Sequence, residues 1–132
     1  MTDRTEFEKL VTLAMDIEKH LYGWMVEIPS AGAIDYPPRH VYMGREDGAG
    51  IAFAWIWNQP GRVEVSGRYP IDVSNYRARP SIRLAADRPE LNLAKEITRR
   101  FLPAYLSCWE QAQDELISLR RAKERVQQTA EA

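Results

Sequence analysis

The side chains best equipped for chemistry are few and scattered. His20 and His40 fall on different segments, and Cys108 is the single cysteine. No two histidines share one element at metal-ligand spacing, and no Cys-x-x-Cys occurs, so the sequence implies neither a metal nor a cofactor. Cys108, between Ser107 and Trp109 on an expected helix, reads as a small buried hydrophobe rather than a nucleophile. G-x-S-x-G, Walker and G-x-G-x-x-G patterns are absent. The glycine-bearing stretch from Gly44 to Gly50 contains Glu46 and Asp47, whose charges would repel a phosphate. Glu64 and Asp72 show no spacing that marks an acid/base pair. No catalytic residue is expected.

Arginine and tryptophan remain, and both suit binding. Residues 1–38 sum to a charge of −4, residues 39–83 to +3 and residues 84–132 to zero, within an overall −1. All seven basic residues of the middle section are arginine: Arg39, Arg45, Arg62, Arg68, Arg77, Arg79 and Arg83. The guanidinium fork suits phosphate, carboxylate and ring faces better than an ammonium does. Codon bias alone gives the same enrichment, since the chain has only four lysines.

These residues must be positioned by an α+β framework. Phe7, Leu10, Val11, Ala14, Ile17 and Leu21 recur at steps of three and four, predicting an amphipathic helix over 3–21. Thr5 with Glu8 offers a capping box, Thr2 an earlier cap, and Gly23 a left-handed stop. Strands are expected at Trp24–Ile28, 39–44, Ile51–Trp57, Arg62–Tyr69 and Ser81–Ala85. Irregular connections fall at 30–38 and 70–80. Such short links force antiparallel pairing, hence a meander of four or five strands.

The hairpin 51–69 has two registers open. A type II turn centred on Pro60-Gly61 puts Gln59 opposite Arg62 and brings Trp57, Trp55 and Phe53 onto the same face as Glu64, Ser66 and Arg68. Trp55 and Trp57 would then be a stacking platform for single-stranded nucleic acid. A three-residue loop instead pairs Asn58 with Arg62 and brings the aromatics beside Val63 and Val65, under a helix. That register collects the large apolar groups on one face and is the one the pattern favours.

Asp87 and Glu90 form a further capping box, with Pro89 in the first turn. The helical pattern that follows reaches Val126, roughly 60 Å if unbroken. Pro103 is expected to divide it into helices 88–102 and 103–126. The single domain would span 1–126, with 127–132 a frayed polar tail. Tyr105, Trp109, Ala112, Leu116, Leu119 and Val126 alternate at steps of four and three, with Lys123 interrupting a coiled-coil-like seam. That seam packs on the domain or on a second copy, so monomer and homodimer both stay open; Tyr105, Trp109, Leu116 and Leu119 are the candidate self-association residues.

With 132 residues and 45% apolar content, the chain can bury roughly 70% of its unfolded surface. No run approaches the length of a membrane span, and the N-terminal segment lacks the pattern of a signal peptide, so a cytoplasmic protein is expected. The leading expectation is a non-catalytic module that binds a protein or nucleoprotein partner. Arg62, Arg68 and Arg83 on the sheet, with Tyr76, Arg77 and Arg79 in the 70–80 loop, would be its surface. Small motif-poor proteins of this kind occur among mobile-element and phage-encoded regulators or inhibitors. Direct single-strand nucleic-acid binding through Trp55 and Trp57 is the alternative, and a structural role through the C-terminal helix the third.

Overall fold

A computed structural model describes residues 4–27, 39–68 and 80–131. The chain runs α1 (Arg4–Glu18), β1 (Trp24–Val26), β2 (Val41–Arg45), β3 (Gly50–Trp55), β4 (Arg62–Arg68), β5 (Ser81–Ala85), α2 (Glu90–Glu96), a π turn (Ile97–Phe101) and α3 (Leu102–Glu131). The five strands make one antiparallel sheet in sequence order. This is the α+β meander that the short connections require.

Alternation along the strands builds the core. Val41, Met43, Ile51, Phe53, Val63, Val65 and Leu84 are buried on one sheet face, and the register places them side by side. The α1 stripe covers this face: Leu10, Ala14 and Ile17 are buried, as is Leu21 just beyond the helix, with Phe7 and Val11 packed beside them. Leu93, Ala94, Ile97, Phe101 and Tyr105 complete the same core from the C-terminal helices. Gly23 takes φ 88°, the left-handed conformation that ends the first helical segment. Val26 N–H then donates to the Glu18 carboxylate, tying β1 to α1.

Neither capping box forms. Residue 4 is already helical, so Thr5 lies inside α1, while Thr2 is outside the described residues. At α2, Pro89 itself is the cap residue, with ψ 139° and no side-chain bond. Asp87 is thereby two residues too far back to cap the first turn.

The hairpin combines features of both expected registers. Gln59 O accepts from Arg62 N–H at 3.1 Å and Gly61 has φ 76°, as a Pro-Gly type II turn demands. A second turn precedes it, with Gln59 N–H donating to Ile56 O at 3.1 Å. The two turns lengthen the loop, so Trp55 pairs with Val63, Phe53 with Val65 and Ile51 with Gly67. This is a shift of two residues from the expected core register, which preserves the face of every side chain. Strand β3 ends at Trp55, leaving Trp57 in the loop and 88% exposed.

Pro103 does not divide the C-terminal helix. The helical path is continuous from Glu90 to Glu131, and the irregularity is the π turn just before the proline. Leu102 N–H bonds to Ile97 O, five residues back. Buried Leu93, Ile97, Phe101 and Tyr105 follow one another at steps of four. In a pure α-helix each such step overshoots the stripe by about 40°. The wider π winding corrects that drift and accommodates the proline's missing donor. Helix α3 runs to Glu131, and the side chains of residues 117–128 are all exposed.

Candidate functional site

The sheet face opposite the described helices carries the residues left over from the core. Register and alternation place Tyr42, Gly44, Gly50, Ala52, Ala54, Arg62, Glu64, Ser66, Arg68, Arg83 and Ala85 there. The middle is built of small residues, of which Gly50 and Ala52 are buried, and the arginines stand around it. Arg62, Arg68 and Arg83 are exposed. Tyr76, Arg77 and Arg79 lie outside the described residues.

Arg68 is oriented rather than free. Its guanidinium sits 4.2 Å from the centroid of the Tyr42 ring, and Nη1 donates to Glu27 Oε2 at 3.3 Å. Gly50 makes this crossing possible, since an added Cβ there would meet Arg68 Cδ at 3.2 Å. Gly44, its register partner, similarly leaves room for Glu27, whose Oε1 lies 2.7 Å from a would-be Cβ. His40 stacks on Tyr42 with centroids 5.9 Å apart. The Arg68–Glu27 pair is about half exposed on both sides, so solvent screens it and a partner can displace it at small cost. Glu64 is the register partner of Arg83. The face therefore alternates charge instead of presenting one positive patch.

The two tryptophans are separated. Trp55 packs against the core, and its indole N–H donates to Glu6 O at 2.8 Å. Trp57 projects from the double turn. Between them a cleft of about 480 Å³ is lined by Glu6, Lys9, Ile56 and Pro60 as well as both rings. One ring is open and the other anchored, unlike a row of bases stacked on neighbouring aromatics.

Two features were missed in the sequence. Arg45 reaches the rings of Trp24 and Trp109, at 5.4 and 6.0 Å from their centroids, and its Nε donates to Asp47 Oδ1 at 2.9 Å. The hydrogen-bonded ion pair holds the Arg45 guanidinium above and the Asp47 carboxyl below their ordinary pKa values. It fixes the β2–β3 turn to α3. The second feature is a groove of about 590 Å³ between the end of α1 and α2, lined by His20, Arg88, Lys95, Glu96 and Arg99 among others. Arg88, Lys95 and Arg99 recur at steps of seven and four, a helical stripe that periodicity could have revealed. Glu96 accepts from Arg100 Nη1 at 3.0 Å and from Arg99 Nη2 at 2.6 Å; its carboxyl is held low first by Arg100.

The α3 seam divides into two parts. Tyr105 and Ala112 are buried and Trp109 packs on the core, but Leu119 is 42% and Val126 68% exposed, with Leu116 in between. Among the described residues no three His, Cys, Asp or Glu side chains gather into a metal-binding group, and no helix is long and apolar enough to cross a membrane. The chain matches no family model, no curated protein and no solved structure.

Proposed function

We propose that this chain is a non-catalytic binding module, a regulator or inhibitor whose protein partner seats on the outer face of the sheet. The observation that carries this reading is the segregation of layers. Helices α1 and α2 and the π turn pack against the core face, while the opposite face holds exposed arginines, Tyr42 and a floor of glycine, alanine and serine. Arginine and tyrosine are enriched at protein interfaces. The alternation of Arg68 with Glu27, and of Arg83 with Glu64, favours a protein surface of mixed charge over a phosphate backbone, which rewards aligned cations. Anchoring of Trp55 also weakens the single-strand stacking reading.

The test is site-specific photo-crosslinking in cells that express the chain, with the reactive side chain at Arg62, at Arg83 or at Thr12 on the exposed side of α1. The reading expects one shared protein adduct from the two sheet positions and none from Thr12. Adducts from Thr12 alone, or adducts to nucleic acid from the sheet positions, would overturn it.

A further inference from the structure

The groove between the end of α1 and α2 gathers more positive charge than the chain itself answers. Arg88, Lys95 and Arg99 line it, with His20 at its α1 rim, and Glu96 is the one carboxylate among its described lining residues. That carboxylate is already engaged, by Arg99 Nη2 at 2.6 Å and Arg100 Nη1 at 3.0 Å. Only 19% of the Glu96 side chain is exposed, so it holds Arg99 in place and leaves the groove's charge standing. Arg88 and Lys95 are exposed and make no ion pair among the described residues. Leu91, 45% exposed, lies between them along the helical stripe, and Asn92 lines the groove beside it.

We infer that this groove binds an extended acidic segment of another protein, with aspartate or glutamate at alternate positions. Spacing supports an extended peptide. Along the helical path Lys95 and Arg99 stand roughly 6 Å apart, and Arg88 lies roughly 10 Å further back. Side chains at alternate positions of an extended strand share one side and are roughly 7 Å apart. About five residues therefore run the length of the row, with two or three carboxylates in reach of its long cationic side chains. The Arg99 fork suits a carboxylate, and Lys95 supplies a compact charge beside it. Two lining groups favour a peptide over a phosphate chain. The Asn92 amide both donates and accepts, matching a peptide's C=O and N–H, whereas phosphate oxygens only accept. Leu91 offers apolar ground that the stems of acidic side chains cover and a phosphate chain leaves wet.

This inference is independent of the sheet-face reading, since the groove lies on the helices. Its test is the fluorescence anisotropy of a labelled, terminally blocked Glu-Ala-Glu-Ala-Glu peptide, titrated with the full chain to millimolar concentration. Binding is expected at about 50 mM salt, weaker at about 200 mM, and absent when glutamine replaces each glutamate. Arg88→Glu with Lys95→Glu should weaken binding about tenfold or more, with an unchanged far-ultraviolet circular dichroism spectrum. Arg120→Glu with Arg121→Glu makes the same change of net charge on exposed side chains of α3 and should leave binding intact. Unlabelled peptide should displace the probe at lower concentration than tripolyphosphate or a mixed-sequence single strand does. No binding at the lower salt, or a groove variant that binds as the wild type does, would overturn the inference. So would an equal loss in the α3 variant, or displacement more readily by tripolyphosphate or the single strand than by the peptide.

Discussion

Tyr105 lies so close upon Gly67 that a β carbon at residue 67 would stand 2.2 Å from Tyr105 Cδ1. The same tyrosine joins the end of the sheet to α3. Its hydroxyl accepts from Gly50 N–H at 2.8 Å and donates to Arg68 O at 2.8 Å, bridging the last register pair of β3 and β4. Phe101 stacks on the ring from one helical turn back, centroids 5.4 Å apart. Gly67→Ala should therefore cost about 1–3 kcal/mol through overpacking. Tyr105→Phe should cost about 1–3 kcal/mol by leaving two backbone groups without their bridge. Urea unfolding checks both: the midpoint falls while the slope holds. A neutral Gly67→Ala would contradict this packing.

Tyr105 also gives the fold a limit in alkali. Burial raises its phenol above the ordinary value, so the folded state favours the neutral form. Stability is complete below the unfolded tyrosine value near 10 and declines as pH rises from there through the raised folded value. The difference in alkaline stability between wild type and Tyr105→Phe should shrink over that window, as read from unfolding midpoints.

Arg45 is held by shape as well as charge. Lysine keeps the charge but loses the flat contact with Trp24 and Trp109 and the paired donors to Asp47. Arg45→Lys should cost about 1–2 kcal/mol. Because the ion pair depresses the Asp47 carboxyl, its contribution is present above the ordinary aspartate value. It is lost as pH falls through the depressed one. An acid titration of unfolding midpoints should show that loss in the wild type and a smaller one in Arg45→Lys.

The outer face should separate binding from folding. Arg62→Glu with Arg83→Glu removes exposed charges that touch no core, so stability should change by no more than about 0.5 kcal/mol per site while partner adducts disappear. Leu93→Ala, fully buried, should instead cost about 2–5 kcal/mol. Loss of fold in the double arginine variant would show these side chains to be structural.

The meander, the α1 stripe and the β5 boundaries were legible because period-two and period-3.6 patterns report directly on burial. The faces of the residues in Gly50–Trp55 and Arg62–Arg68 were legible for the same reason, whereas Trp57, expected on the buried face, lies exposed in the loop. The hairpin's register was not legible, because two successive turns consume residues that a single-loop count assigns to strand. Pro103 marked an irregularity in the helix, but its form depended on the four-step spacing from Leu93 to Tyr105, which only the sheet beneath makes necessary. Of the candidate site, Arg62 and Arg83 were recognisable as solvent-facing. The engagement of Arg68 with Tyr42 and Glu27 was hidden, since it depends on Gly44 and Gly50 meeting across strands.

The most direct test of a protein-binding face, as opposed to a nucleic-acid platform, is intrinsic tryptophan fluorescence titrated with mixed-sequence single strands and duplex at about 50 and 200 mM salt. Trp57 is the open ring and would report any stacked base. No nucleic acid is expected to change the emission, even at the lower salt. Strong quenching by single strands that weakens steeply at the higher salt would contradict it.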